Sequence, residues 1–268
     1  TLSFVLFGSV SIYQKGFPDR LNAQTQSQLN TLIGEKNKRL NAIGSGECHF
    51  NRKGINQNIK LFLENWSCID GKHQNIKIAV IGDSQASDIS ASLRLNGITI
   101  TQLTAAGCSL RHNSPQKFSY CESIFDKIIE HLNSVEYDLL IVANRINNAD
   151  ELNVSTQLQI INFWSKQARK LIVATPMVEF KNFEKFFLLK KEEVDSIKPY
   201  YPGVQILKDT ESSKKYPKNA ELIDTGEIFC SITNGECKSK LEEKILIVDS
   251  NHMSKFGALF LEQILIEK

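Results

Sequence analysis

Ile76-Lys77-Ile78-Ala79-Val80-Ile81-Gly82-Asp83-Ser84-Gln85-Ala86 is a short apolar run that stops at a glycine and passes into small, helix-compatible residues. It predicts a buried strand over residues 76–81, and Gly82-Asp83-Ser84 a tight turn that presents Ser84 at the strand's end. A helix follows over 85–95, with Ala86, Ile89 and Leu93 on one face. The alternation then continues along the chain. Residues 98–103 are the next expected strand, and residues 120–132 a helix with Ile124, Ile128 and Leu132 in register. Leu139-Leu140-Ile141-Val142-Ala143 is apolar throughout, as a strand buried on both faces requires, and Leu171-Ile172-Val173-Ala174 repeats the pattern after a helix over 156–169. Residues 181–193 read as a charged, aromatic-rich helix whose aromatics either line a substrate groove or, the favoured reading, pack on the core, ahead of the turn-forming Pro199-Tyr200-Tyr201-Pro202. The chain closes with a strand over 245–248, the loop Asp249-Ser250-Asn251-His252 and a helix over 254–266. Such alternation argues an α/β fold with a mainly parallel sheet and helices on both faces.

Residues 14–46 differ in character. They are polar, with a turn at Gly16-Phe17-Pro18-Asp19-Arg20, a lysine-rich helical stretch and a Gly44-Ser45-Gly46 break. They hold too few large apolar residues for a core of their own, so residues 1–46 read as an extension and 47–268 as the domain. The basic run over 36–39 reads as a solvated helix face. Residues 2–13 are apolar but fall short of the roughly 20 needed to span a bilayer, and no basic stretch precedes them as in a secretory signal. They read either as an amphipathic element packed on the domain or as the exit end of a transmembrane helix.

With 32 basic and 30 acidic residues intermixed, the net charge is +2, and no extended electropositive surface for nucleic acid is expected. Six cysteines fall as neighbours in sequence, Cys48 with Cys68, Cys108 with Cys121, and Cys230 with Cys237. None forms a CxxC pair and few histidines lie nearby, which favours three local disulfides over reduced thiols or a structural zinc; no metal site is expected. Disulfides would place the chain in an oxidising compartment.

In open parallel α/β sheets the ligand site lies at the carboxyl ends of the strands. Ser84, Asn144 and the 249–252 loop all follow expected strands at that edge. A serine hydroxyl is a poor nucleophile until a base takes its proton, and His252 can do so if a carboxylate fixes its tautomer; Asp249, three residues earlier, supplies one. Taken singly, each has a plainer explanation. Gly and Asp form turns, Asp249 could cap the last helix, and a lone histidine is usually a satisfied loop residue. The combination at one sheet edge, in a chain order known from serine triads, is what points to acyl chemistry.

These residues resemble the SGNH hydrolases. Ser84 in Gly82-Asp83-Ser84 matches the serine block, Gly107 in Ala105-Ala106-Gly107-Cys108 the glycine, Asn144 the asparagine, and Asp249 with His252 the last block. Val142 and Arg145 depart from the usual Gly-x-Asn-Asp. The resemblance implies a flavodoxin-like three-layer α/β/α sandwich, with Ser84, His252 and Asp249 catalytic. It also implies an oxyanion hole made by the Ser84 N–H, the Gly107 N–H and the Asn144 amide.

With Gly107-Cys108 followed by Cys121, the Cys230 to Cys237 loop and Asp249-Ser250-Asn251-His252-Met253-Ser254, the chain is similar to the periplasmic SGNH domain fused behind acyltransferase-3 membrane domains. That implies a periplasmic domain of a bacterial inner-membrane protein, with residues 1–46 as the end of the last transmembrane helix and a linker. The implied activity is O-acylation, usually O-acetylation, of an extracytoplasmic glycan such as lipopolysaccharide O-antigen. The attached membrane domain would be its partner, using an acyl donor such as acetyl-CoA, with no cofactor in this domain. A secreted carbohydrate esterase with the same residues and a non-catalytic glycan-presenting domain are the alternatives.

Overall fold

The computed structural model describes residues 22–51, 59–66, 68, 76–108, 118–146, 152–180, 183, 199–200, 203–231 and 237–262. In chain order its elements are α1 (Ala23–Ala42), β1 (His49–Phe50), α2 (Ile59–Glu64), β2 (Ile78–Gly82), α3 (Ser84–Leu95), β3 (Thr101–Ala105), α4 (Tyr120–Ser134) and β4 (Tyr137–Ala143). There follow α5 (Val154–Trp164), β5 (Ala168–Ala174), β6 (Glu179–Phe180), β7 (Pro199–Tyr200), α6 (Val204–Glu211), β8 (Ala220–Ile223), α7 (Thr225–Ser231), β9 (Lys240–Leu241), β10 (Lys244–Ile245) and α8 (Lys255–Ala258), the last continuing as a 3₁₀ turn over Leu259–Glu262.

Six strands form one sheet in the order β1-β3-β2-β4-β5-β8, every neighbouring pair parallel. Because strand side chains alternate faces, the apolar runs serve two cores at once. Val80, Ile141 and Ile172 pack with Ile89 and Leu93 of α3 and Phe229 of α7. Ile81, Leu140 and Val173 pack on the other face with Ile124 and Ile128 of α4 and Trp164 of α5. The result is the three-layer α/β/α sandwich. Since β3 lies to one side of β2 and β4 to the other, the winding reverses at β2, and the ends of β2 and β4 flank the switch-point crevice.

The turn from β2 into α3 depends on Gly82. Its φ is +151°, and a Cβ there would lie 1.8 Å from the Ala143 carbonyl oxygen and 2.7 Å from the Ala86 Cβ. Residues Gln85 through Leu93 of α3 are all buried, and the small side chains of Ala86, Ser87, Ser90 and Ala91 suit a helix covered on every side. The cysteines form disulfides Cys48–Cys68, Cys108–Cys121 and Cys230–Cys237.

Several elements differ from expectation. The apolar run 245–248 is not a strand of the parallel sheet: β10 pairs antiparallel with β9, and Ile247 bridges antiparallel to Met253. α5 stops at Trp164, and β5 begins where that helix was expected to run on to 169, because Arg169 and Lys170 form the solvent-exposed entry of the strand. Pro199–Tyr200 pairs with Glu179–Phe180 rather than forming only a turn. The edge strands β1 and β8 were not anticipated. α1 packs on the domain: its Leu32 joins one core, and Arg39, expected on a solvated face, is 8% exposed.

The expectations for residues 1–21 lie outside the described residues, as does the helix over 181–193 apart from the buried Phe183. Residues 263–266 of the expected closing helix also lie outside them. Among the described residues no helix is long and apolar enough to cross a membrane. Gly82→Ala is expected to cost more than about 3 kcal/mol of unfolding free energy, read by urea denaturation, since backbone rather than a mobile side chain blocks the new Cβ. A loss below about 1 kcal/mol would show that the turn accommodates a side chain.

Candidate active site

Ser84 is the first residue of α3, directly beyond β2. At that position its N–H has no acceptor within the helix and stands at the positive end of the helix dipole. Asp83 caps the helix: Oδ1 accepts the Gln85 N–H at 2.8 Å, while Oδ2 accepts the Arg145 N–H at 2.8 Å. One carboxyl thus ties the exit of β2 to the exit of β4. Burial pushes its pKa up to about 6, against the opposing pull of the two N–H bonds and the charges of His252 and Arg145.

His252 reaches Ser84 from a hairpin. The Val248 N–H donates to the His252 carbonyl at 2.9 Å and the Ser254 N–H to the Leu246 carbonyl at 2.8 Å, on either side of the Ile247–Met253 bridge. α8 can press against this hairpin because Gly257 is bare; a Cβ there would lie 2.2 Å from the Leu246 oxygen. The Phe180 N–H donates to the Ser250 carbonyl at 2.7 Å, which anchors the loop to β6.

The structure brings Ser84, His252 and Asp249 into one hydrogen-bonded chain. His252 Nε2 lies 2.7 Å from Ser84 Oγ, and Nδ1 lies 2.8 Å from each Asp249 carboxyl oxygen. Asp249 Oδ1 also accepts the His252 N–H at 3.0 Å and the Asn251 N–H at 3.1 Å. Burial works against ionising Asp249. The hydrogen bond and charge of His252, the Asn251 N–H and the Arg39 charge outweigh it, holding the carboxyl well below the usual range. An ionised Asp249 keeps the proton on Nδ1 and leaves Nε2 free to accept from the serine hydroxyl.

Gly107 and Asn144 stand at the ends of β3 and β4, the strands on either side of β2. Gly107 adopts φ +69°, and a Cβ there would meet the Phe118 ring at 2.8 Å. Its turn is held to α4 by the Cys108–Cys121 disulfide. Asn144 follows Ala143, the partner of Gly82 in the sheet register. It lines a crevice between β4, β5 and α5 with an empty volume of about 470 Å³ counting its open mouth, and its Oδ1 is buried with no hydrogen-bond partner among the described residues. Neither residue is hydrogen-bonded to Ser84.

Where the expected block has an acid, Arg145 instead forms a bidentate pair with Glu179 of β6, at 2.5 and 3.0 Å. Sequence reasoning did not find Glu179, nor Asp88 and Arg39, which form a buried ion pair beneath Ser84 at 2.7 Å. One signal for Asp88 was available: an acid one helical turn after Ser84, among small and apolar residues. Among the described residues no group of His, Cys, Asp and Glu is placed to hold a metal ion. The chemistry the arrangement offers is that of a serine nucleophile with a neighbouring base.

The fold is that of the SGNH hydrolases. The family model described as SGNH domain (fused to AT3 domains) matches residues 47–267, and the chain belongs to that family. Among solved structures it is similar to the periplasmic domain of a lipopolysaccharide acetyltransferase from Salmonella ser. Paratyphi A, with 17% identity over 86% of this chain and 95% of that one, and a TM-score of 0.61. That likeness is one of fold. A variant of an acetyl xylan esterase from Geobacillus stearothermophilus is more distant, at 13% identity over 74% of this chain and 96% of that one, TM-score 0.44. No curated protein matches the chain in sequence.

The raised pKa of Asp83 has a measurable sign. The folded state takes up its proton near pH 6 and the unfolded chain only near 3.8, so this group favours folding more as pH falls through that window. The stability of the wild type relative to Asp83→Asn is expected to rise by about 2 to 3 kcal/mol between pH 7 and pH 4, read by chemical denaturation. A difference that does not change with pH would remove the buried ionised carboxyl.

Proposed function

We propose that the domain transfers an acyl group, in the first instance acetyl, to a sugar hydroxyl of an extracytoplasmic glycan such as lipopolysaccharide O-antigen, through an ester on Ser84. The observation that carries this is the 2.7 Å contact between Ser84 Oγ and His252 Nε2, with Asp249 behind it, in a family described by its fusion to AT3 domains. In the first half-reaction Oγ attacks the donor carbonyl carbon as Nε2 takes its proton. The bond to the leaving group breaks, and that group departs with the proton from His252. In the second half, the sugar hydroxyl gives its proton to Nε2 and attacks the acyl carbon, and Oγ leaves and recovers the proton. Asp249 stabilises the imidazolium in both.

The tetrahedral oxyanion in this scheme is held by the Ser84 N–H, the Gly107 N–H and the Asn144 amide. A donor of this kind typically contributes about 3 kcal/mol to the transition state. The acyl group comes from an acyltransferase-3 membrane domain in the same polypeptide that draws on a donor such as acetyl-CoA, which makes this the periplasmic domain of a bacterial inner-membrane protein. Three disulfides support an oxidising compartment. The His252 side chain is 20% exposed, so water can reach the base, and hydrolysis is the competing fate of the same acyl-serine.

Ser84→Ala is expected to abolish glycan O-acetylation in cells carrying the full-length gene, read by loss of acetyl signals from purified glycan; undiminished acetylation would sink the covalent route. Asp249→Asn is expected to slow hydrolysis of an aryl acetate by on the order of 10³- to 10⁴-fold, because the imidazole loses the partner that fixes its tautomer. A loss below tenfold would take that role from Asp249.

A further inference from the structure

Beneath Ser84, hydrogen bonds that the acyl-transfer steps do not use join with the backbone and the Ser84–His252 contact to close a ring. Arg39, on α1, donates from Nε to Asp88 Oδ1 at 2.7 Å and from Nη2 to the Ser84 carbonyl at 3.2 Å. Asp88, one turn after Ser84 on α3, accepts the Met253 N–H at its other oxygen, at 3.2 Å. Met253 adjoins His252, whose Nε2 returns to Ser84 Oγ at 2.7 Å. Three segments remote in sequence are closed into one ring, with the reacting pair as one of its sides.

Both charged members are withdrawn from water. The Arg39 side chain is 9% exposed and that of Asp88 1%. Burial raises the Asp88 pKa, and Arg39 is the largest influence opposing it. Well-packed apolar side chains in place of a buried ion pair are often as stable or more so, so stability alone is a weak account of the pair. What apolar residues could not supply is the donor on the Ser84 carbonyl and the acceptor for the Met253 N–H.

Arg39 is itself anchored from the domain. Arg94 donates to the Ala42 carbonyl at 2.7 Å and to Gln102, and Gln102 donates to the Ile43 carbonyl at 3.1 Å, so the last carbonyl of α1 and that of its capping residue are held by side chains of α3 and β3. Leu32 fixes the helix further along in the core. Arg39 therefore meets Ser84 from a rigid support, although it precedes residue 47, where the family match begins.

We infer that Arg39 and Asp88 are positioning residues that set the distance between Ser84 Oγ and His252 Nε2, which makes α1 a working part of the site rather than a tether. The inference rests on the acyl-serine reading. Its test is the second-order rate of phosphonylation of Ser84 by a small uncharged alkyl fluorophosphonate, measured on the 268-residue chain beside its thermal melting. The variant Arg39→Met/Asp88→Leu removes both charges together, so no unpaired charge is left in the interior.

The expected result is melting within a few degrees of the wild type with labelling at least tenfold slower. Arg39→Lys keeps the charge but lacks the fork that serves Asp88 and Ser84 at once, and is expected to fold and label several-fold slower. Wild-type labelling rates in either folded variant would overturn the positioning role while leaving the nucleophile in place. A wild-type chain that takes up no phosphonate at Ser84, while a control serine esterase does, would overturn the acyl-serine reading and this inference with it.

Discussion

Ser84 and His252 lie 168 residues apart in sequence and are joined by one 2.7 Å hydrogen bond. In the proposed reaction a proton passes along that contact, a step that tolerates little displacement, so the surrounding structure matters as what holds it. On the serine side, β2 must end at a residue without a Cβ, because the Ala143 carbonyl of β4 occupies that space. On the histidine side, the base rides on a hairpin closed by Ile247 and Met253. A hairpin returns on itself, so Asp249 and His252 face one another through their side chains and through the His252 N–H together.

Three carboxyl groups sit close together at this edge of the sheet, and their surroundings set them apart. Asp249 receives two backbone N–H bonds and the imidazole, and is held ionised. Asp83 receives two backbone N–H bonds in a buried place, and burial raises its pKa to about 6. Asp88 is also raised by burial, with Arg39 opposing. Each accepts at least one backbone N–H from a segment distant from, or adjacent to, the reacting groups. A hydrogen bond to an ionised carboxylate is stronger than a neutral one, which suits it to fixing loops.

The central strands were legible in the sequence because each is an apolar run buried on both faces, and Gly82-Asp83-Ser84 because the turn has strong local chemistry. Ser84, Asp249 and His252 could be read together because their types and chain order match a serine triad; the strand-end rule places Ser84, whereas a hairpin outside the parallel sheet brings Asp249 and His252 to it. Apart from Asp88, what escaped had no local signal. β1 and β8 are short edge strands, and their pairing is decided by neighbours rather than by their own residues. The run 245–248 is as apolar as a sheet strand, yet it packs as one arm of a hairpin, a difference of partner that composition does not encode. Arg39 looked like a solvated charge because its neighbours 36–38 are polar; the acid that buries it is 49 residues away.

In the proposed scheme acyl transfer and hydrolysis share one intermediate, and the destination of the acyl group is set by which hydroxyl reaches it. The intermediate itself is therefore the point at which the mechanism stands or falls. The most direct measurement is acid-quenched peptide mapping by mass spectrometry of the full-length protein, taken from cells actively acetylating their glycan. The expected result is an acetyl group on the peptide containing Ser84, localised to that side chain. Glycan acetylation with Ser84 unmodified throughout the time course, including under conditions that starve the acceptor, would contradict an acyl-serine route.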